Sequence, residues 1–184
     1  MHSLTHHFLI PTEHMNDERF FGSLIYICRH SADGAWGFVV NKPSKSLSVG
    51  GLLGDMRLDA GADAMKIPAM DGGVLRGEAG FILHTGLPEF QSSFAIGENV
   101  CLTTSRDILT RLAPVPQFSH YLLLMGFCSW RKDQLTAEIN AGDWLTCPAN
   151  AEILFHPDHE KKLDMAYELL GLNPEKLAPV IGQA

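Results

Sequence analysis

The chain has 184 residues, 46% of them apolar and 19% charged, the balance of a packed globular domain rather than of a disordered or fibrous segment. Its formal net charge of −7, with histidine neutral, opposes non-specific attraction to nucleic acid or to an anionic membrane surface. The longest apolar run, YLLLMGFCSW, is too short to cross a bilayer, and MHSLTHHFLI lacks the basic start and long apolar stretch of a secretion signal, so a cytoplasmic protein is expected.

Taken in chain order, HFLI reads as a first short strand. SLIYICRH and GAWGFVVNK are β-rich runs joined by SADG, a hairpin with Gly34 where a positive φ is needed. KSLSVGGLLGDM carries a weak helical pattern diluted by three glycines, and residues 55–66 form a polar surface excursion. FILHTG, SSFAIG and NVCLTT return as strands. SRDILTRLAP places Ile108, Leu109 and Leu112 on one helical face and stops at Pro114, WRKDQLTAEINAG is helical up to Gly142, and ILF before His156 reads as a strand. In DHEKKLDMAYELLG, Leu163, Ala166, Tyr167 and Leu170 share a face before Gly171, and Asn173-Pro174 opens a last short helix. Helices are thus expected near 104–113, 131–141 and 159–170. Strands gather before residue 104 and alternate with helices after it, which predicts an α+β fold, a single domain over residues 1–184 with a bent mixed or antiparallel β-sheet flanked by helices.

Metal and redox chemistry find little footing. Cys28, Cys101, Cys128 and Cys147 form no C-x-x-C pair, and the first three lie in apolar runs where a thiol behaves as a small buried hydrophobe. His156 and His159 have metal-like spacing, but Pro157 interrupts them and no further ligands are evident, so neither a metal nor a cofactor is expected.

Three segments carry candidate chemistry. In TTSRD, Thr104 and Asp107 match a capping box, in which the hydroxyl accepts from the N3 amide and the acid reaches back. The same helix start, with Arg106, suits an anion, whereas a hydroxyl nucleophile lacks a neighbouring base. Glycines 72, 73, 77 and 80 match neither a P-loop nor a dinucleotide fingerprint, so Gly72-Gly73 reads as a turn or a close approach of two backbones, and His84 as a satisfied core or rim histidine. On a helix, Trp130, Gln134 and Glu138 would fall at i, i+4 and i+8 and line a ligand groove. The structural alternative has Trp130 packed inward, Gln134 capping a backbone group and Glu138 solvated.

Several blocks together resemble the AlgH-like family of bacterial proteins: HFLIPTEHMNDERFFGSLIYICRHSADGAWGFVVNKP, GGVL with GFILH, LTTSRDIL, the W, QL, EI and WL set, and the terminal LG, L and IGQA. The resemblance spans nearly the whole chain in order and spacing. It implies one α+β domain on a bent, mixed sheet, in a family whose members are largely uncharacterised or described as candidate transcriptional regulators. Asn41, Thr104, Ser105, Arg106, Asp107, Trp130 and Gln134 match and are the candidate ligand-binding residues; no catalytic residue is assigned. Glu78-Ala79 stand where the family usually has Asp-Arg, Arg131-Lys132-Asp133 where it has Gly-Pro-Gly, Thr136 where it has an acid, and Gln183 where it has His. Two function classes remain. One is a non-enzymatic regulatory or binding protein acting through a protein or small-molecule partner. The other is an enzyme or anion-binding protein using the Thr104–Asp107 helix start with Trp130 and Gln134. Direct DNA binding is disfavoured, because the charge is acidic and no helix-turn-helix pattern is present.

Overall fold

The computed structural model describes residues 3–113 and 115–173. Ten strands make one strongly curled sheet: β1 (His7–Pro11), β2 (Ile25–Ser31), β3 (Gly34–Val39), β4 (Pro43–Ser48), β5 (Pro68–Asp71), β6 (Leu75–His84), β7 (Ser93–Gly97), β8 (Val100–Thr103), β9 (Tyr121–Arg131) and β10 (Trp144–Pro148). The helices are α1 (Val49–Asp55), α2 (Gln134–Ala141), α3 (Ala151–Leu154) and α4 (Lys161–Leu169), with 3-10 turns at Glu18–Phe20, Ala62–Lys66 and Arg106–Arg111. Along the sheet the order is β10-β1-β2-β3-β9-β6-β8-β7, with β4 and β5 set beside it. Every pairing is antiparallel except β5 with β9, so the sheet is mixed, and the expected α+β architecture stands.

Strand β9 is the spine. Its first half pairs with β6 on one edge and β5 on the other; its second half continues along the β5 edge with β3. Between β5 and β6 the chain must therefore cross β9 from one edge to the other, and Gly72-Gly73 makes the crossing. A Cβ on Gly73 would lie 2.1 Å from the Phe127 carbonyl carbon, and Gly72 N donates to Met125 O at 2.7 Å. The glycine pair serves the close approach of two backbones, one of the two readings its sequence allowed. The hairpin at Gly34 also forms, with φ +134.

Alternating side chains divide the core. Phe8, Tyr26, Phe38, Leu83, Leu102, Leu122 and Leu124 point into the curl, where Leu154 and Ala166 of α3 and α4 meet them. On the outer face, Ile25, Val39, Cys128 and Trp130 pack under α2, while Ile82, Leu123 and Ile108 pack under α1. Because β9 is covered on both faces, YLLLMGFC reads as a continuous apolar run and is extended. The curl nearly brings the sheet back on itself. His6, just before β1, lies against Gly97 at the end of β7, where a Cβ would come 2.6 Å from its ring.

Some expectations are corrected. The helix near 104–113 is a 3-10 turn confined to Arg106–Arg111, because Thr103 and Thr104 still belong to the strand system: Thr104 N donates to Ser92 O at 2.9 Å. The helix expected from 131 begins at Gln134, since β9 runs on through Arg131. The ILF segment is helical rather than extended, α3 being capped by Asn150, whose Oδ1 accepts from Ile153 N at 2.9 Å. Part of KSLSVGGLLGDM is a strand, β4, and part a short helix, α1, capped by Ser48. The helix expected at Asn173-Pro174 and the departure at Gln183 lie outside the described residues.

Helix α4 carries a feature its amphipathic pattern did not announce. Lys162 is fully buried, and its Nζ donates to Val40 O at 2.9 Å and Leu154 O at 2.8 Å, tying the helix to the end of β3 and to α3.

Candidate functional site

The candidate residues separate into three places. Asn41 is a brace: its Oδ1 accepts from Leu24 N at 2.7 Å and its Nδ2 donates to Gly22 O at 2.8 Å, fixing the loop before β2 to the end of β3. It lies in neither of the two clefts, one lined by Thr104, Ser105 and Arg106 and the other by Trp130 and Gln134.

The first cleft holds Thr104, Ser105 and Arg106. Here the capping-box reading is corrected. Thr104 Oγ1 makes only a 3.5 Å contact to Ser92 O and caps nothing, and the N-cap position falls on Ser105, whose side chain makes no capping bond. The Ser105 hydroxyl instead donates to Asp107 and accepts from Ser92 N at 3.0 Å, and Asp107 accepts from Gln91 N at 2.9 Å. The motif fastens the 91–92 loop to the start of the turn. The Ser105 hydroxyl and the Gln91 amide hold the Asp107 carboxyl below the usual carboxylate range. Thr104→Ala should therefore change stability by no more than about 0.5 kcal/mol, as an ordinary exposed substitution does, whereas Asp107→Ala should lower the urea midpoint measurably. Equal losses from both, or a loss only from Thr104→Ala, would restore the capping box. Arg106 is exposed beside this turn. The turn is one short 3-10 segment, so it offers no extended helix dipole for an anion.

The second cleft is a groove of about 330 Å³ between the 15–20 loop, the end of β9 and α2, and it holds Trp130 and Gln134. Trp130 sits on a strand, so the helical stripe imagined for Trp130, Gln134 and Glu138 does not exist as such. The three side chains meet nonetheless, because β9 delivers the indole and the turn at 131–133 brings α2 back across it. Glu138 Oε2 accepts from Trp130 Nε1 at 2.8 Å and from Trp144 Nε1 at 2.8 Å, while Oε1 accepts from Gln134 Nε2 at 2.9 Å. Gln134 Oε1 accepts from Arg131 N at 3.0 Å, which is the backbone-capping role of the structural alternative. Trp130 is packed inward, as that alternative also held, but Glu138 is not merely solvated: one carboxylate gathers three donors from two strands and a helix.

Trp144 on β10 is the member that periodicity could not supply, since it enters from a different element. Its ring stands edge-on to Trp130 at 6.1 Å and to Phe20 at 5.4 Å. At the rim, Asp17 and Arg19 pair at 2.6 Å, and Val74 and Leu75 stand 39% and 40% exposed. Cys128 also lines the groove; burial pushes its thiol up to about 11, so it stays a protonated hydrophobe.

With this geometry in place, comparison with known proteins is decisive. A family model described as AlgH-like matches residues 8–175. The chain belongs to the AlgH-like family. A UPF0301 protein of Psychrobacter cryohalolentis is 48% identical over 183 residues, covering 99% of this chain and 98% of that one, and the UPF0301 protein YqgE of Escherichia coli is 38% identical over 186 residues, covering 99% and 100%. The solution structure of the AlgH protein from Pseudomonas aeruginosa superposes with a TM-score of 0.80 at 34% identity, over 99% of this chain and 96% of that one. A crystal structure of a Corynebacterium diphtheriae protein shares the fold, with a TM-score of 0.66 at 17% identity.

Membership makes one departure physically readable. The resemblance leads to glycine at position 133, and Asp133 adopts φ +60 at the start of α2 with no side-chain capping bond. Asp133→Gly should therefore stabilise this AlgH-like protein by roughly 0.5 kcal/mol, because the left-handed conformation costs glycine nothing. A lower urea midpoint for that variant would show that Asp133 compensates for its strain. His84 is satisfied, as its position suggested: its ring nitrogens lie 3.0 Å from Thr85 O and 2.8 Å from Thr103 Oγ1, and burial keeps its pKa below the ordinary value. All four cysteines are free and buried.

Proposed function

We propose that this AlgH-like protein is a non-enzymatic regulatory or binding protein of the bacterial cytoplasm, and that it docks a partner protein in the groove between β9, α2 and the 15–20 loop. The observation that carries the reading is the exposure of Val74 and Leu75 beside the ordered Glu138 floor. Exposed apolar side chains clustered at a groove are surface that a partner can remove from water, and a floor held by three hydrogen bonds needs little reordering on binding. The Glu138 carboxylate, the two indoles and Gln134 are engaged with one another, which suits a recognition surface more than a reacting centre. A partner protein fits better than nucleic acid, since the net charge is −7 and phosphate contacts require clustered cations.

The test is photo-crosslinking in intact bacteria from a benzophenone amino acid placed at position 75, with position 87 as an equally apolar control remote in the sequence. A discrete protein adduct from position 75, absent from position 87 and lost on Val74→Asp, is the expected result. No adduct from position 75, or the same adducts from both positions, would sink the docking reading. A titration with duplex DNA giving saturable, sequence-dependent binding would overturn the exclusion of nucleic acid.

A further inference from the structure

The first cleft, distinct from the docking groove, has an unused chemistry of its own. It is a slot of about 180 Å³ on the outer face of the sheet, between α1 and the 3-10 turn that follows β8. Its walls include Met56, Ile82, Leu109 and Met125. Gly80 leaves the floor open, for among the described residues a Cβ built there would meet only Met125 Sδ, at 3.7 Å. Two charged side chains line the same slot from different elements: Glu78 on β6 and Arg106 at the start of the turn. Both are exposed, and neither forms an ion pair with another described residue.

A slot with an apolar wall on one part, the Thr103, Thr104 and Ser105 positions on another, and one guanidinium and one carboxylate among its lining is matched by a particular kind of ligand. A simple fatty acid would satisfy Arg106 but set its carboxylate against Glu78. An amine would do the reverse. A zwitterion with an apolar side chain satisfies both charges and fills the slot. We propose that this cleft binds a free apolar α-amino acid of leucine or methionine type. Its carboxylate pairs with Arg106, its ammonium with Glu78, and its side chain enters between Met56, Ile82, Leu109 and Met125. The two methionines supply a flexible wall that adapts to straight or branched chains.

Calorimetry and amide chemical-shift mapping on the full chain test this directly, using L-leucine, L-methionine, L-glutamate and 4-methylpentanoic acid, which is leucine without its amine. Saturable binding of leucine or methionine is expected, with shifts centred on residues 78–82 and 103–109. Glutamate and 4-methylpentanoic acid should bind at least tenfold more weakly, the cost of one unmatched charge. Arg106→Gln and Glu78→Gln, both exposed and therefore tolerated by the fold, should each abolish leucine binding while leaving the thermal midpoint within a degree or so of wild type. The absence of saturable binding by either apolar amino acid at millimolar concentration overturns the proposal. Equal binding of 4-methylpentanoic acid, with Glu78→Gln indifferent, overturns the zwitterion assignment, and shifts confined to the groove at Trp130 overturn the location.

Discussion

Lys162→Ala is expected to cost the fold about 4 kcal/mol, because it leaves a cavity the size of a four-carbon stem and strips two buried carbonyls of their donor. The side chain is fully buried and its amine serves Val40 O and Leu154 O. Burial pushes the amine down to about 7 from its ordinary 10.5. Since the folded pKa is depressed, the unfolded chain holds more protons between these two values. Stability therefore falls as pH drops from about 10.5 towards 7, at about 1.4 kcal/mol per pH unit, and is flat in this respect below 7. Urea unfolding of wild type and Lys162→Met at pH 7.5 and 9, both rough choices inside the window, isolates the effect. Wild type should gain on Lys162→Met as pH rises. A constant difference between them would mean that the amine is charged throughout. His159, just before α4, has a buried Nδ1 with no hydrogen-bond partner among the described residues and is pushed down to about 4 by burial and by Lys162, so the start of this helix also loses stability on the acid side.

Glu138→Ala is the second large effect. It removes the acceptor shared by Trp130 Nε1, Trp144 Nε1 and Gln134 Nε2, leaving two indole N–H groups in a largely buried setting. Each unmet donor costs about 1–3 kcal/mol, so a total loss of roughly 3 kcal/mol is expected, with a change in the near-ultraviolet circular dichroism of the two tryptophans. Glu138→Gln keeps one acceptor oxygen and should retain part of both. A loss below about 1 kcal/mol for Glu138→Ala would mean that water replaces the carboxylate and that the groove floor is looser than its hydrogen bonds imply.

The two substitutions act at opposite ends of one design. Helix α4, inside the curl, is secured by a buried amine with no counter-ion among the described residues, and α2, outside it, by a carboxylate with no cation among its three donors. In each case neutral hydrogen-bonding groups are the partners of an ionisable side chain. This is why neither residue could be recognised from charge patterning: Lys162 stands beside Lys161 and Asp164 on an ordinary-looking amphipathic helix, and Glu138 looks like a solvated acid.

Local pattern by itself determined a good deal of this protein. Alternation and turn residues marked β1, the β2–β3 hairpin, β6, β7 and β8, and the 3.6-residue rhythm marked α2 and α4, because those signals reside in consecutive residues. The glycine pair at 72–73 announced a close approach without saying of what. Family membership was legible too, since it rests on the order and spacing of blocks along the whole chain. What only the tertiary structure decided was which separated residues share a site. Trp130 and Glu138 meet through a strand and a helix rather than along one helical face, and Trp144 joins them from β10. Thr104 looked like a cap, but its backbone is claimed by Ser92 across the sheet, and a residue held in strand pairing cannot also turn into a helix start. Arg106 and Trp130, both candidate ligand-binding residues by sequence, lie in different clefts because β9 crosses from one half of the sheet to the other between them. Periodicity reports the environment of a residue relative to its near neighbours. The partners that give these side chains their roles come from long-range pairing, which no local window contains.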